Sequence, residues 1–141
     1  MFRTILVPVD IDDLETARPA IEGALELART GGGSVRLLHV RTISPVAYAE
    51  FVPTDVEAGS ADSAETRLAA LAATLDLPSG RVSAVVRRGS VTEEVVAEAG
   101  AMAADLIVIG AHDPTVASFF LGSHSGSLVR DARCSLLVVR R

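Results

Sequence analysis

Residues 105–127 read DLIVIGAHDPTVASFFLGSHSGS, and the order of features in this stretch decides the fold prediction. An apolar run from Leu106 to Ile109 stops at Gly110. After a loop comes a second glycine with hydroxyl and imidazole side chains behind it: Gly122, Ser123, His124, Ser125 and Ser127. This layout is typical of phosphate binding, because glycine lets the backbone approach a ligand and the first N–H groups of a helix lack internal partners. The stretch therefore predicts an α/β phosphate-binding unit, although neither GxGxxG nor GxxxxGK[ST] occurs in it.

The rest of the chain alternates apolar strands with amphipathic helices. Residues 2–9 form a β-branched-rich run that is continuous rather than alternating, as is typical of a strand buried on both faces. Further strands are predicted at residues 35–40, 81–87, 106–109 and 136–139. Helical spacing occurs at residues 15–29 and 64–75, and further helices are expected after Ser90 and after Gly122. The alternation predicts an α/β fold, a five-stranded parallel sheet between two layers of helices, with residues 1–141 as one domain.

Three local features of the pattern lead to further expectations. Pro19 fits only the first turn of a helix, so the first helix either begins near Thr16 or kinks. Residues 42–62 show no sustained period and are expected to form the one long irregular connection. Ser90 and Glu93 have the spacing of a capping box at the start of a helix.

Composition excludes several classes of function. The chain has 141 residues, 49% of them hydrophobic, which argues against disorder, and no apolar run approaches the roughly 20 residues that span a bilayer. All 13 basic residues are arginines, which excludes lysine-based chemistry, and the net charge of −5 argues against a nucleic-acid partner. Aspartates interrupt the first apolar run, so no signal peptide is expected. The single cysteine, Cys134, is expected to be a packed thiol, and the cytoplasm is the expected location.

A binding crevice is expected where the carboxyl ends of neighbouring parallel strands meet. Asp10 directly follows the first strand and would face Gly110 there. Its carboxylate either accepts the hydroxyls of a ribose or caps the next helix, a role for which Asp12 and Asp13 compete. His39 lies inside a strand and is expected to be a hydrogen-bonded, partly buried side chain.

The second half of the crevice is expected at the helix after Gly122. Gly122 and Ser123 would hold phosphates through backbone N–H groups and a hydroxyl, with Ser125 and Ser127 as further donors, unless this is an ordinary capped helix. His112 and His124 could also donate to a phosphate. No acidic or cysteine companion stands at ligand spacing from them, so no metal site is expected.

With these residues in place, the sequence resembles the universal stress protein family from end to end. ILVPVD, ALELA, LLHV, VVRRGS, ADLIVIGAH, LGS and CSLLVVRR occur in the order typical of that family. The resemblance implies a Rossmann-like three-layer sandwich, similar to the adenine nucleotide alpha hydrolases, with strand order 3-2-1-4-5. It also implies an ATP-binding stress-response module without strong catalysis, with or without Mg²⁺, that forms a cytoplasmic homodimer through its last strand. Nucleic-acid binding and membrane insertion are not implied.

The family signature G-x2-G-x9-G-[ST] can be carried over position by position. With the family's aspartate after the first strand and valine after the second, the implied nucleotide contacts are Asp10, Val40, Gly110, Gly122 and Ser123. The expected site also includes the neighbouring residues Pro8, Val9, His112, His124 and Ser125. Asp113 stands at the second signature glycine, and the following loop is one residue short. VDIDD, GAHDP and FLGSH are similar to the F/G-type subgroup, which shares the short loop and includes ATP binders.

Two other functions stay open at this point. One is a dimeric interaction protein of the same fold that has lost nucleotide binding. The presence of Asp113 at the second signature glycine favours this alternative. The other is an enzyme, either a slow ATPase or a relative of the ATP pyrophosphatases, but the glycine–serine loop that those pyrophosphatases carry after the first strand is replaced here by VDIDDLET.

Overall fold

A computed structural model describes residues 2–42, 54–78, 80–111 and 131–140, and for residues 54–62 it describes the backbone alone. The described strands are β1 (Thr4–Pro8), β2 (Ser34–Arg41), β3 (Val82–Arg88), β4 (Leu106–Gly110) and β5 (Ser135–Val139). The described helices are α1 (Leu14–Gly31), α2 (Thr54–Ala73) and α3 (Val91–Ala101). Among the described helices, none is both long and apolar enough to cross a membrane.

The five strands form one parallel sheet in the order β3-β2-β1-β4-β5. β1 lies at the centre, with Ile5 opposite both Val35 of β2 and Leu106 of β4. The sheet thus confirms the predicted α/β class and strand order. The carboxyl ends of β1, β2 and β4 lie along one edge, which is where the crevice was expected.

Helices cover both faces of the sheet, and each face has its own hydrophobic core. Ile5 and Val7 of β1 face α1 and α2, whose buried residues include Ala24 and Leu68. Leu6 points to the opposite face and packs in the cluster that contains Val95 of α3. Alternate side chains of β1 are therefore fully buried in two different cores, which explains why its sequence is continuously apolar.

Helix α1 begins earlier than expected and contains its proline. Asp13 is the N-cap, with its carboxylate accepting from the Thr16 N–H at 3.4 Å and from the Thr16 hydroxyl at 2.6 Å. Pro19 lies beyond the first turn inside the helix Leu14–Gly31. The missing N–H of Pro19 costs one hydrogen bond, while Ala17, Ile21 and four further residues bury the inner face of the helix.

The expectation of an irregular segment at residues 42–62 was wrong for its second part, because α2 begins at Thr54. The sequence there is polar and contains Gly59, so no apolar period indicates the helix. Once the apolar part around Leu68 is anchored in the core, each added residue extends a helix that already has its nucleus.

Helix α3 begins where expected, but its capping box does not form. Ser90 is the N-cap in an extended conformation, and its side chain makes no capping hydrogen bond. The first turn carries Glu93 and Glu94 instead, whose negative charges interact favourably with the helix N-terminus.

An ion-pair cluster ties α3 to the sheet. The carboxylate of Glu98 accepts from Arg36 of β2 at 2.7 Å and from Arg87 of β3 at 2.9 Å. Arg87 also donates to Glu94 at 2.9 Å. The hydrogen bonds to Glu94 and Glu98 raise the pKa of the Arg87 guanidinium above its usual value. The Glu98 side chain is only 6% exposed, and both of its oxygens are paired with these two arginines.

Candidate functional site

An open cavity of about 590 Å³ lies at the carboxyl ends of β1 and β2. The ends of these strands, the turn after β1, the inner side of α2 and the start of α3 line it. Its described lining residues are Pro8, Val9, Asp10, Ile11, Asp12, Leu38, His39, Val40, Arg41, Thr42, Ser63, Ala64, Arg67 and Val91. Its volume lies within the range of small-molecule and cofactor sites.

The turn at residues 10–13 carries three carboxylates with different partners. Asp10 accepts the Asp12 N–H on its side-chain Oδ1 at 2.9 Å and the Asp13 N–H on its backbone oxygen at 3.0 Å. Asp13 caps α1, and Asp12 accepts from Arg67 of α2. Asp10 is exposed, and within the described ranges no donor contacts its Oδ2. Of the two roles expected for Asp10, the helix cap belongs to Asp13, and Asp10 lines the cavity with one carboxylate oxygen that has no described donor.

Two other elements hold the backbone of this turn. Arg67 Nη2 donates to the Ile11 carbonyl at 2.9 Å, while Nη1 donates to Asp12 Oδ1 at 3.1 Å. Nδ1 of His39 lies 3.2 Å from the Val9 carbonyl and 3.4 Å from the Ile11 amide, so it donates to the first or accepts from the second according to its tautomer. His39 is half-buried and hydrogen-bonded, as its position inside a strand predicted.

Gly110 lies at the end of β4 beneath the first turn of α1. A Cβ built on it would lie 3.0 Å from the backbone oxygen of Thr16, closer than such atoms normally approach. The absence of a side chain at Gly110 therefore allows the close approach of α1 to the end of β4. Gly110 is buried and is not among the lining residues of the cavity.

The sequence matches the profile of the Universal stress protein family over residues 1–140. This chain belongs to the universal stress protein family. Universal stress protein G of Escherichia coli O157:H7 is 34% identical to it over 99% of this chain and 100% of that protein. Universal stress protein G of Salmonella typhimurium is 35% identical with the same coverage. The family inferred from the sequence motifs is confirmed.

Solved structures of universal stress proteins share the fold along nearly the whole chain. The structure solved as hypothetical protein MJ0577 has a TM-score of 0.76 at 25% identity and covers 100% of this chain and 97% of its own. The universal stress protein of Archaeoglobus fulgidus in complex with dAMP has a TM-score of 0.67 at 18% identity, with 98% of each chain covered. A universal stress protein in complex with cAMP has a TM-score of 0.59 at 19% identity, with 98% of this chain and 96% of its own covered.

The structure brings four of the expected nucleotide contacts together. Pro8, Val9, Asp10 and Val40 line one cavity, although Val40 lies on β2 and the other three lie at the end of β1. Gly110 lies at the same edge of the sheet, under α1. The other expected contacts lie outside the described residues: His112, Gly122, Ser123, His124 and Ser125. Asp113, at the second signature glycine, lies outside them as well.

Sequence reasoning missed Arg67 and did not assign His39 to the site. Arg67 lies on a helix far along the chain from the turn that it contacts, and only its place beside the buried Leu68 and Ala64 indicates that it faces inward. His39 stands in the LLHV motif, but a strand histidine is usually a packing residue. Neither position carries a sequence signal for ligand binding.

Two further expectations concern reactive groups. In the described part of the chain, no group of three or more histidine, cysteine, aspartate or glutamate side chains could hold a metal ion. Cys134 is a free, half-buried thiol. Burial and, to a smaller extent, the negative charge of Asp105 raise its pKa, which agrees with a packed rather than a reactive cysteine.

Proposed function

We propose that this universal stress protein binds an adenine nucleotide in the cavity at the carboxyl ends of β1 and β2. The observation that carries the proposal is the Asp10 carboxylate at the rim of this cavity, with one oxygen engaged in its own turn and the other without a described donor. A carboxylate in this position accepts hydrogen bonds from the vicinal hydroxyls of a ribose. The dAMP and cAMP complexes of two structural neighbours support an adenine nucleotide as the ligand.

Each part of the ligand has a proposed set of contacts. The apolar surfaces of Pro8, Val9 and Val40 contact the base, and Asp10 binds the ribose. The phosphates extend toward the edge where β4 ends, and their proposed contacts are Gly110, His112, Gly122, Ser123, His124 and Ser125. ATP, alone or with Mg²⁺, is the nucleotide that the family signature favours.

A homodimer formed through β5 is the second part of the proposal. β5 is an edge strand, and Leu137 on it is 37% exposed. Its ladder with β4 uses the Ser135 N–H and the Val139 carbonyl, so the N–H groups of Leu136 and Val138 point away from β4. Pairing with the same strand of a second copy satisfies these groups and protects the edge from aggregation.

We place this regulatory module in the cytoplasm, because a chain with one cysteine has no internal disulfide to gain from an oxidising compartment. Cell fractionation tests this location. Recovery of the protein with a periplasmic or secreted fraction contradicts it.

Replacing Asp10 tests the nucleotide site. We expect Asp10→Ala to weaken ATP and adenosine binding by about tenfold or more, because a hydrogen bond to a charged group contributes roughly 1.5–3 kcal/mol. Isothermal titration of both ligands measures the loss. The control is Asp76→Ala, which removes another exposed aspartate, paired with Arg29, outside the cavity lining.

The outcomes separate the nucleotide proposal from its rival. Equal affinities of the Asp10→Ala and Asp76→Ala variants would contradict the role of Asp10. No detectable heat or spectral change with millimolar ATP or adenosine in the wild-type protein would favour the interaction protein without a nucleotide.

A further inference from the structure

We propose that Arg67 is a positioning residue of the nucleotide site, a role that rests on the proposed function. Arg67 holds the turn at residues 10–13 in the shape that presents the Asp10 carboxylate to the ligand. It does so with two hydrogen bonds, to the Ile11 carbonyl and to the Asp12 carboxylate, that connect α2 to the end of β1.

The turn depends on such outside contacts. Its own bonds are the two that Asp10 accepts from Asp12 and Asp13. The Ile11 carbonyl points out of the turn and takes its hydrogen from Arg67, and His39 contacts the Ile11 amide from β2. The guanidinium is suited to this task because its planar fork can serve two acceptors at fixed spacing.

Helix α2 is itself held firmly at this point. Leu68, the residue after Arg67, is fully buried in the core between α2 and the sheet, and Ala64, one turn earlier, is 5% exposed. These contacts fix the rotation of the helix, so that the Arg67 side chain is directed at the turn. The position of the Asp10 carboxylate is thereby linked to the packing of α2, whose Arg67 is 55 residues from Asp12 along the chain.

A direct role for Arg67 is the main alternative. Its side chain lines the cavity and carries a positive charge, so it could bind a phosphate itself. The two roles differ in which ligands they affect. If Arg67 positions the ribose-binding carboxylate, its loss weakens the binding of adenosine and of ATP equally. If Arg67 contacts a phosphate, its loss weakens the binding of ATP alone.

The test compares Arg67→Met with Arg29→Met. Arg29 makes the same kind of contacts away from the cavity, donating to the Asp76 carbonyl at 3.1 Å and pairing with the Asp76 carboxylate at 3.5 Å. The two arginines have similar side-chain exposure, 51% and 48%. Any general effect of losing a half-exposed arginine should therefore be common to both variants.

We expect Arg67→Met to weaken adenosine and ATP binding alike, by about five- to tenfold, the equivalent of roughly one hydrogen bond. Arg29→Met should bind both as the wild-type protein does. In a double-mutant cycle, Arg67→Met should reduce the binding free energy less in the Asp10→Ala background than in the wild type, because the carboxylate that Arg67 positions is gone. In the unliganded protein, the Asp12 and Asp13 amides should exchange faster in Arg67→Met only.

Several outcomes would overturn the role of Arg67. Unchanged binding and amide exchange in Arg67→Met, or a loss confined to ATP, would each do so while leaving the nucleotide proposal intact. Equal losses in the Arg67→Met and Arg29→Met variants would do the same. Absence of adenosine and ATP binding by the wild-type protein would instead overturn the proposed function, and the role of Arg67 with it.

Discussion

At the end of β1, three aspartates direct their carboxylates to three different partners. Asp13 caps α1, Asp12 pairs with Arg67, and Asp10 closes its own turn with one oxygen. Chain position and local geometry divide these tasks, since the three residues have the same chemistry. Asp10 and Asp12 both line the cavity, and each has one carboxylate oxygen without a described donor. The Asp12 carboxylate is paired with Arg67, whereas no described cation pairs with Asp10, which is why Asp10 carries the functional proposal.

Glu98 provides a prediction about stability at the same scale. We expect Glu98→Gln to lower the free energy of unfolding by about 2–3 kcal/mol, because it removes the carboxylate that Arg36 and Arg87 share and leaves Arg87 with Glu94 as its one described carboxylate and Arg36 with none. This figure lies below that for a fully buried pair because both arginines are about 30% exposed. Urea unfolding measures the change.

The matched control is Glu15→Gln in the exposed pair between Glu15 and Arg18. This variant should change the free energy of unfolding by about 0.5 kcal/mol or less, because solvent screens both charges. Similar shifts in the two variants would show that the buried cluster contributes no more than a surface pair.

At the scale of elements, the position of α1 is set by close contacts with the sheet. Its first turn lies over Gly110 of β4, and at Gly23 a Cβ would be 3.3 Å from the Val139 side chain of β5. These contacts bring the helix N-terminus to the edge where β1 and β4 end. The glycine that the family signature assigns to phosphate binding therefore also has a packing role.

Gly110→Ala tests that packing role. We expect it to lower the free energy of unfolding by about 1–2 kcal/mol, because the new methyl group would press on the backbone oxygen of Thr16. The control is Gly100→Ala in α3, where a Cβ meets nothing within 4 Å and helix propensity improves by roughly 0.5–1 kcal/mol. Thermal and urea unfolding measure both variants. Equal stability of Gly110→Ala and the wild type would show that α1 can move aside at no cost.

At the scale of the whole molecule, β5 is the strand through which two copies would join. A two-fold axis through this edge places the same residues of both copies near one another. We expect Leu137→Glu to raise the dissociation constant of the dimer by about tenfold or more. The variant replaces an exposed apolar side chain by a carboxylate, and the carboxylates of the two copies would repel each other.

Sedimentation velocity over a range of concentrations measures the dimer. Leu14→Glu is the control, since Leu14 is 39% exposed but lies at the start of α1. Equal dissociation of the Leu14→Glu and Leu137→Glu variants, or a monomeric wild-type protein, would contradict dimerisation through β5.

The sequence by itself determined the family, the α/β class and the strand order. It could do so because strands buried on both faces are continuously apolar and because the family motifs run in order along the chain. It failed at the first part of α2, where a polar segment becomes helical only by extension from an anchored core. The capping box predicted at Ser90 does not form, and Pro19 lies beyond the first turn of a helix that was expected to begin near Thr16 or to kink. At both positions the packing of the helix outweighs the local sequence preference.

Only the tertiary structure decided how the site is held. The partners of the turn after β1 come from β2 and α2. His39 of β2 is 28 residues from Ile11 along the chain, and Arg67 of α2 is 55 residues from Asp12. No periodicity or spacing in the sequence encodes such contacts, because they depend on how two helices and a sheet meet. The same holds for Gly110, whose sequence context suggests a ligand and whose neighbour in the fold is the backbone of Thr16.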